Sequence, residues 1–152
     1  MTVQEITSSQ NPRIKELVRL SSQKKERSLS GLFVVESAKL VEEAALAGIG
    51  IEALYRTDEA AEKYAPYLAP AQAACGSEVR ITRPVAEKIS STVNVQEIMA
   101  FASKQKVPQP KRLVLLDRIQ DPGNMGTIIR SAAAFGFGVI YSEGSANPFS
   151  TK

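Results

Sequence analysis

Four consecutive apolar residues, Leu113-Val114-Leu115-Leu116, run without polar alternation into a stretch that breaks the chain at Pro122-Gly123. A run of four is too short for a typical helix, and its uniform polarity suits a strand covered on both faces of a parallel sheet. Asp117 falls at the carboxyl end of that strand. Asn124 offers a cap for a helix whose apolar face is Ile128, Ile129, Ala132 and Ala133, which predicts a helix from near Asn124 to near Gly136. Open α/β sheets place ligands outside the carboxyl ends of their strands, at turns of this kind. Residues 117–130 are therefore where chemistry is expected, within an α/β fold.

With 152 residues, 43% hydrophobic and 23% charged, the chain has room for one ordinary domain or two small ones. No apolar run approaches the roughly 18 residues that span a bilayer, and the polar start is not a secretory signal, so the expected setting is cytoplasmic with no membrane partner. A single cysteine, Cys75, and no histidine exclude an internal disulfide, Cys-rich or His-based metal sites and Ser-His triads, and no metal is expected. The net charge is +3, unevenly placed: in residues 11–27 six cations, Arg13, Lys15, Arg19, Lys24, Lys25 and Arg27, face two anions, for a net of +4 against −1 elsewhere. Clustered cations suit a phosphate backbone, although such a run also makes an ordinary solvated helix face.

Along the chain, Asn11-Pro12 reads as a cap with proline at the first helical position, ahead of the stripe Ile14, Leu17 and Val18. Residues 32–36 read as a strand, followed by a helix that Ser37 caps and that stops at Gly48. Residues 51–55 read as the next strand, and Thr57 caps a helix ending near Pro66. Residues 70–76 read as a small-residue loop, 78–82 as a strand, Pro84 as a helix opening and 95–102 as extended chain. The alternation gives a small α/β domain over 1–104, and the proline-rich 105–111 reads as a linker. Residues 112–152 hold a strand, a helix, a strand at 139–141 and a polar tail. One β-α-β unit cannot cover both faces of its strands, so the second domain is expected to be incomplete: the chain is either a fragment of a longer protein, the favoured reading, or depends on another chain to close its sheet.

Asp121-Pro122-Gly123-Asn124-Met125-Gly126, with Arg130-Ser131-Ala132 and Ala134-Phe135-Gly136, closely resembles the first signature motif of the SpoU (TrmH-type) RNA ribose methyltransferases of the SPOUT superfamily. Ser9-Gln10-Asn11-Pro12, Ile14-Lys15, Phe33-Val34-Val35-Glu36 and Gln96 are similar to that family's N-terminal substrate-binding domain, which has an α/β fold like that of kink-turn-binding ribosomal proteins. The resemblance implies a small RNA-binding α/β domain followed by the first β-α-β unit of an α/β-knot methyltransferase domain. It also implies a homodimer and methyl transfer from S-adenosylmethionine to a ribose 2′-hydroxyl of ribosomal or transfer RNA. Its functional asparagine and arginine fall on Asn124 and Arg130. The motifs that carry most of the cofactor site would lie beyond Lys152, so the 152 residues are expected to bind no cofactor and to be inactive alone. At two positions the chain departs from the family: Ser37 stands where glycine follows the strand glutamate, and Glu97 where glycine follows Gln96.

Arg130 can lean back toward the turn at its helix start and meet a phosphate there, or it can cover apolar surface or pair with Asp117 or Asp121. Free arginine titrates above about 12, which favours a phosphate clamp over a general base. Asn124 can hydrogen-bond a ribose or simply cap a helix. Asp121, Pro122, Gly123 and Gly126 are expected to shape the loop, and Glu36 reads as structural. A non-enzymatic RNA-binding protein is the alternative function. A Rossmann-type nucleotide enzyme is disfavoured, because the loop lacks the Gly-x-Gly-x-x-Gly form.

Overall fold

The computed structural model describes residues 3–90, 92–105 and 110–149. Its elements are β1 (Gln4–Ile6), α1 (Pro12–Ser22), α2 (Lys24–Ser30), β2 (Leu32–Glu36), α3 (Ala38–Leu46), β3 (Ile51–Arg56), α4 (Asp58–Lys63) and α5 (Ala65–Ala74). They continue with β4 (Glu78–Ile81), α6 (Arg83–Ile89), β5 (Ile98–Ser103), β6 (Leu113–Leu116), α7 (Pro122–Ala134) and β7 (Gly138–Tyr141). Contacts divide them into two units, one through Gln105 and one ending at Phe149. Most of the expected linker, residues 106–109, and the end of the polar tail, 150–152, lie outside the described residues.

The first unit is a five-stranded sheet in the order β1-β4-β3-β5-β2, parallel from β1 to β3, with β5 antiparallel to both its neighbours. Five of the six β5 residues are buried, because alternate side chains enter two separate cores. Met99 and Phe101 join Ile14, Leu17, Tyr55, Val85 and Ile89 on the α1 and α6 side. Ile98, Ala100 and Ala102 join Val41, Leu54, Leu68 and Ala71 on the α3 and α5 side. An α/β sandwich of three layers follows from this one strand having no polar face.

Local chemistry sets most helix starts. Asn11 accepts a hydrogen bond from the Arg13 N–H at 2.9 Å with Pro12 at the first helical position, and Thr57 accepts from the Ala60 N–H at 3.2 Å. Three elements differ from expectation. Residues 70–74, expected as loop, continue α5 through Pro70: Leu68 and Ala71 are fully buried against the sheet, and that burial outweighs the one helical hydrogen bond proline removes. Residues 24–30 add a short helix, α2, to the elements expected. Gln4–Ile6 adds an edge strand through its parallel pairing with β4.

Ser37 and Glu97 have φ of 98° and 59°, the left-handed region that favours glycine. These are the two positions where the resemblance expects glycine. With ψ of 146°, Ser37 sits in a region that is essentially glycine-only. It nonetheless caps α3, its hydroxyl accepting from the Leu40 N–H at 3.4 Å. Glu97 returns something for its backbone: its buried carboxylate accepts from the Thr57 hydroxyl at 2.9 Å and lies 3.6 Å from Arg83.

Two measurements follow from this packing. Ser37→Gly should stabilise the first unit by about 1 kcal/mol, seen as a higher thermal midpoint, since relief of the backbone exceeds the few tenths lost with the cap. A lower midpoint would show that the cap dominates. Burial holds the Tyr55 hydroxyl above its ordinary pKa, with the Arg13 charge opposing and Glu16 adding, and burial likewise raises the Cys75 thiol. In the unfolded chain both groups lose their protons first, so stability is full below the ordinary thiol pKa of about 8.5 and falls as pH rises above it and then above the ordinary phenol pKa of about 10. Tyr55→Phe, which also removes a buried oxygen that, with the Arg13 guanidinium over its ring, has no well-formed hydrogen bond among the described residues, should flatten the upper part of that fall in chemical denaturation.

Candidate functional site

In the second unit β6 and β7 form a two-stranded parallel pair in the register Leu113↔Gly138 to Leu116↔Tyr141, with α7 as the crossover. Leu116, Met125 and Ala132 are buried between the strands and α7, whereas Leu113, Leu115 and Ile140 are exposed. The loop from Asp117 to Asp121 leaves the carboxyl end of β6 and enters α7.

Asp121, not Asn124, caps that helix. Its Oδ1 accepts from the Asn124 N–H at 2.6 Å and Pro122 takes the first helical position, so α7 begins earlier than the expected start at Asn124. The physical reason is the one that works at Asn11-Pro12: a side-chain acceptor followed by a residue with no N–H to satisfy. Gly123 and Gly126 consequently lie inside α7 rather than in a turn. A Cβ on Gly123 would come within 3.1 Å of Asp121 Oδ1, so glycine leaves space for the capping carboxylate. A Cβ on Gly126 would make ordinary contact with Arg130 Nη1 at 3.6 Å. Asn124 is exposed, and its side chain is free of the capping duty.

Arg130 is exposed and leans toward the start of α7, as side chains on helices do. Its Nη2 donates to the Thr127 hydroxyl at 3.3 Å, and that hydroxyl donates to the Gly123 carbonyl at 2.9 Å. Among the described residues neither Asp117 nor Asp121, nor any other carboxylate, forms an ion pair with Arg130. Thr127 is thus a positioning residue that the sequence did not announce, although its place one turn before Arg130 is the available signal. The arrangement presents a cation and a carboxamide, both exposed, on the helix that follows the carboxyl end of a parallel strand.

One hollow in this unit does not by itself fit S-adenosylmethionine. Between β6 and α7 lies a hollow lined by Val114, Ile128, Ser131, Ala132, Phe135 and Phe137, which is almost wholly apolar. The cofactor's sulfonium, carboxylate and ribose need charged and polar partners. Among the described residues there is also no group of three or more His, Cys, Asp or Glu placed to hold a metal ion, and no helix long and apolar enough to cross a membrane.

In the first unit the expected cations separate by environment. Lys15 and Arg19 are exposed one turn apart on α1, and Lys24 and Lys25 are exposed at the start of α2. Arg13 is half-buried, its guanidinium over the Tyr55 ring at 5.7 Å and donating to Gln4 Oε1 at 3.4 Å. Arg27 departs from the expectation of a nucleic-acid contact. It is buried, and its Nη1 donates to the Leu20 and Ser21 carbonyls at 2.8 and 2.9 Å, satisfying the last turn of α1. At the ends of β2 and β5, Gln96 Oε1 accepts from the Ala38 N–H at 3.1 Å and Ser90 Oγ donates to Glu36 at 2.7 Å, which ties Glu36 into the scaffold.

The MRM3-like substrate binding domain matches residues 11–100, and the SpoU rRNA Methylase family matches residues 111–152. The chain is 30% identical over 155 residues to the 23S rRNA (guanosine(2553)-2'-O)-methyltransferase RlmP of Bacillus subtilis (strain 168), covering 99% of this chain and 59% of that protein. An rRNA methyltransferase from Sinorhizobium meliloti superposes with a TM-score of 0.77 at 32% identity, covering 99% of this chain and 59% of that one. Its AdoMet-bound structure superposes at 0.76 and 33% identity, covering 97% and 57%. The chain therefore spans a little under three-fifths of the length of the relatives it matches.

Arg27→Ala should destabilise the first unit by about 2 to 3 kcal/mol in urea unfolding, because two helix-end carbonyls lose their donor and a cavity opens. Lys24→Ala and Lys25→Ala should each stay within about 0.5 kcal/mol of the parent. Equal effects at all three positions would contradict the assignment of Arg27 to the scaffold.

Proposed function

Because the chain belongs to the SpoU rRNA methylase family, we propose that the protein carrying it transfers a methyl group from S-adenosylmethionine to a ribose 2′-hydroxyl of ribosomal or transfer RNA. The observation that carries this reading is that Asn124 and Arg130 are both exposed on α7, the helix after the carboxyl end of β6, with the arginine held by a hydroxyl and, among the described residues, paired with no carboxylate. A guanidinium so placed can grip an RNA phosphate through two donors, while the Asn124 carboxamide can both donate to and accept from a ribose hydroxyl. The two together orient the hydroxyl; their contribution is position and field rather than proton removal.

In this reading residues 1–104 recruit RNA through Lys15, Arg19, Lys24 and Lys25, with Arg13 contributing from its place over Tyr55. Residues 105–111 act as a linker and 112–152 begin the methyltransferase domain. The active protein is a cytoplasmic homodimer. The hollow against α7 is too apolar to hold the methyl donor, so these 152 residues alone should bind RNA and transfer nothing.

The test is incubation of the protein with ribosomal and transfer RNA and methyl-labelled S-adenosylmethionine, followed by alkaline hydrolysis. A 2′-O-methyl group removes the nucleophile of that cleavage, so labelled, alkali-resistant dinucleotides are expected. Arg130→Lys should lower kcat/KM by about 100-fold, since an ammonium cannot reproduce the planar two-donor grip. Label on the bases, or methyl transfer by the 152 residues alone, would overturn the reading. Salt-sensitive RNA binding by a full-length protein that transfers no methyl would favour a non-enzymatic RNA-binding protein instead. Removal of each of Lys24 and Lys25 should reduce the slope of log affinity against log salt by about one if both meet phosphates.

A further inference from the structure

The loop that enters α7 is held from outside by two serines that follow β7. The Arg118 N–H donates to Ser142 Oγ at 3.0 Å and the Ile119 N–H to Ser145 Oγ at 3.1 Å. The Ala146 N–H returns to the Ile119 carbonyl at 2.7 Å, and the Ser142 N–H donates to the Leu116 carbonyl at 2.9 Å. Ser145 Oγ also lies 3.5 Å from the Leu116 carbonyl and 3.3 Å from Ser142 Oγ. Between these ties Arg118 has φ of 53°, a conformation disfavoured for any residue with a Cβ, which persists only where the surroundings fix it. Two residues beyond Ile119 comes Asp121, whose carboxylate caps α7.

We propose that Ser145, assisted by Ser142, is a positioning residue for the site on α7. Its hydroxyl replaces the backbone partners that a loop leaving a parallel strand lacks, and so fixes residues 117–121 in one conformation. That conformation sets the entry angle of α7 and with it the direction in which Asn124 and Arg130 face the RNA. Both serine hydroxyls are engaged with protein groups, so they act through the loop rather than on the substrate. The inference rests on the methyl-transfer reading for its functional consequence, but not for its geometry.

Two readouts separate these. In amide hydrogen exchange on the 152-residue chain, Ser145→Ala should speed exchange at Ile119 by about tenfold or more, leave the β6 and β7 amides within about twofold, and be restored by Ser145→Thr. In the methyl-transfer assay on the full protein, Ser145→Ala should lower kcat by about tenfold with the KM for RNA within about twofold, because the misplaced groups still bind but no longer aim. Ser142→Ala should act in the same direction through Arg118. Unchanged exchange at Ile119, loosening without any change in kcat, or loss of protection throughout β6, β7 and α7 would each overturn the proposal. If the parent protein transfers no methyl group, the functional reading has failed, and exchange alone decides whether Ser145 holds the loop.

Discussion

The first unit depends on β5 being apolar on both faces. A strand with no polar side can be satisfied only in the middle of a sheet with helices above and below, and that demand places β3 and β2 beside it and divides the core in two. Its ends then organise the surface. At one end the Thr57 N–H donates to the Glu97 carbonyl at 3.2 Å and the Ser37 N–H to the Ile98 carbonyl at 3.3 Å, so the starts of α3 and α4 are both set against β5. At the other the Lys104 N–H donates to the Gly31 carbonyl at 2.8 Å, and Lys104 Nζ donates to the Arg27 carbonyl at 3.3 Å, which fixes the end of α2.

Ser37 and Glu97 show that a backbone requirement can be met by residues other than the one that meets it most easily. Both occupy left-handed conformations at the junctions of β2 with α3 and of the preceding loop with β5, and both carry side chains that glycine would not supply. Ser37 contributes a helix cap, and Glu97 contributes a buried carboxylate to Thr57 and Arg83. The strain is therefore set against specific polar contacts, and the polar edge of this sheet is chemically different from one built with two glycines.

What was legible in the sequence was local. Strand positions followed from apolar runs, and the caps at Asn11, Ser37 and Thr57 followed from side-chain chemistry that acts within three residues. What was not legible required distant partners: β1 exists through β4, and α5 survives Pro70 because Leu68 and Ala71 reach the sheet. At the candidate site Asn124 looked like the cap because it is a good capping residue, while the Asp121-Pro122 pair that does the capping repeats Asn11-Pro12 and could have been read the same way. The ties from Ser142 and Ser145 cross 24 and 26 residues of chain, and no local pattern announces them.

Arg27 gives the cationic region a mechanical character. Because its guanidinium anchors the end of α1 from within α2, Lys15, Arg19, Lys24 and Lys25 are carried on two helices already locked together. A polyanion arriving there need not order the backbone as it binds, so little configurational entropy opposes association and more of the electrostatic attraction survives as affinity. The same stiffness limits choice: the helices that carry the charges are fixed by the scaffold, and on the proposed reading an RNA would have to bring its phosphates to them.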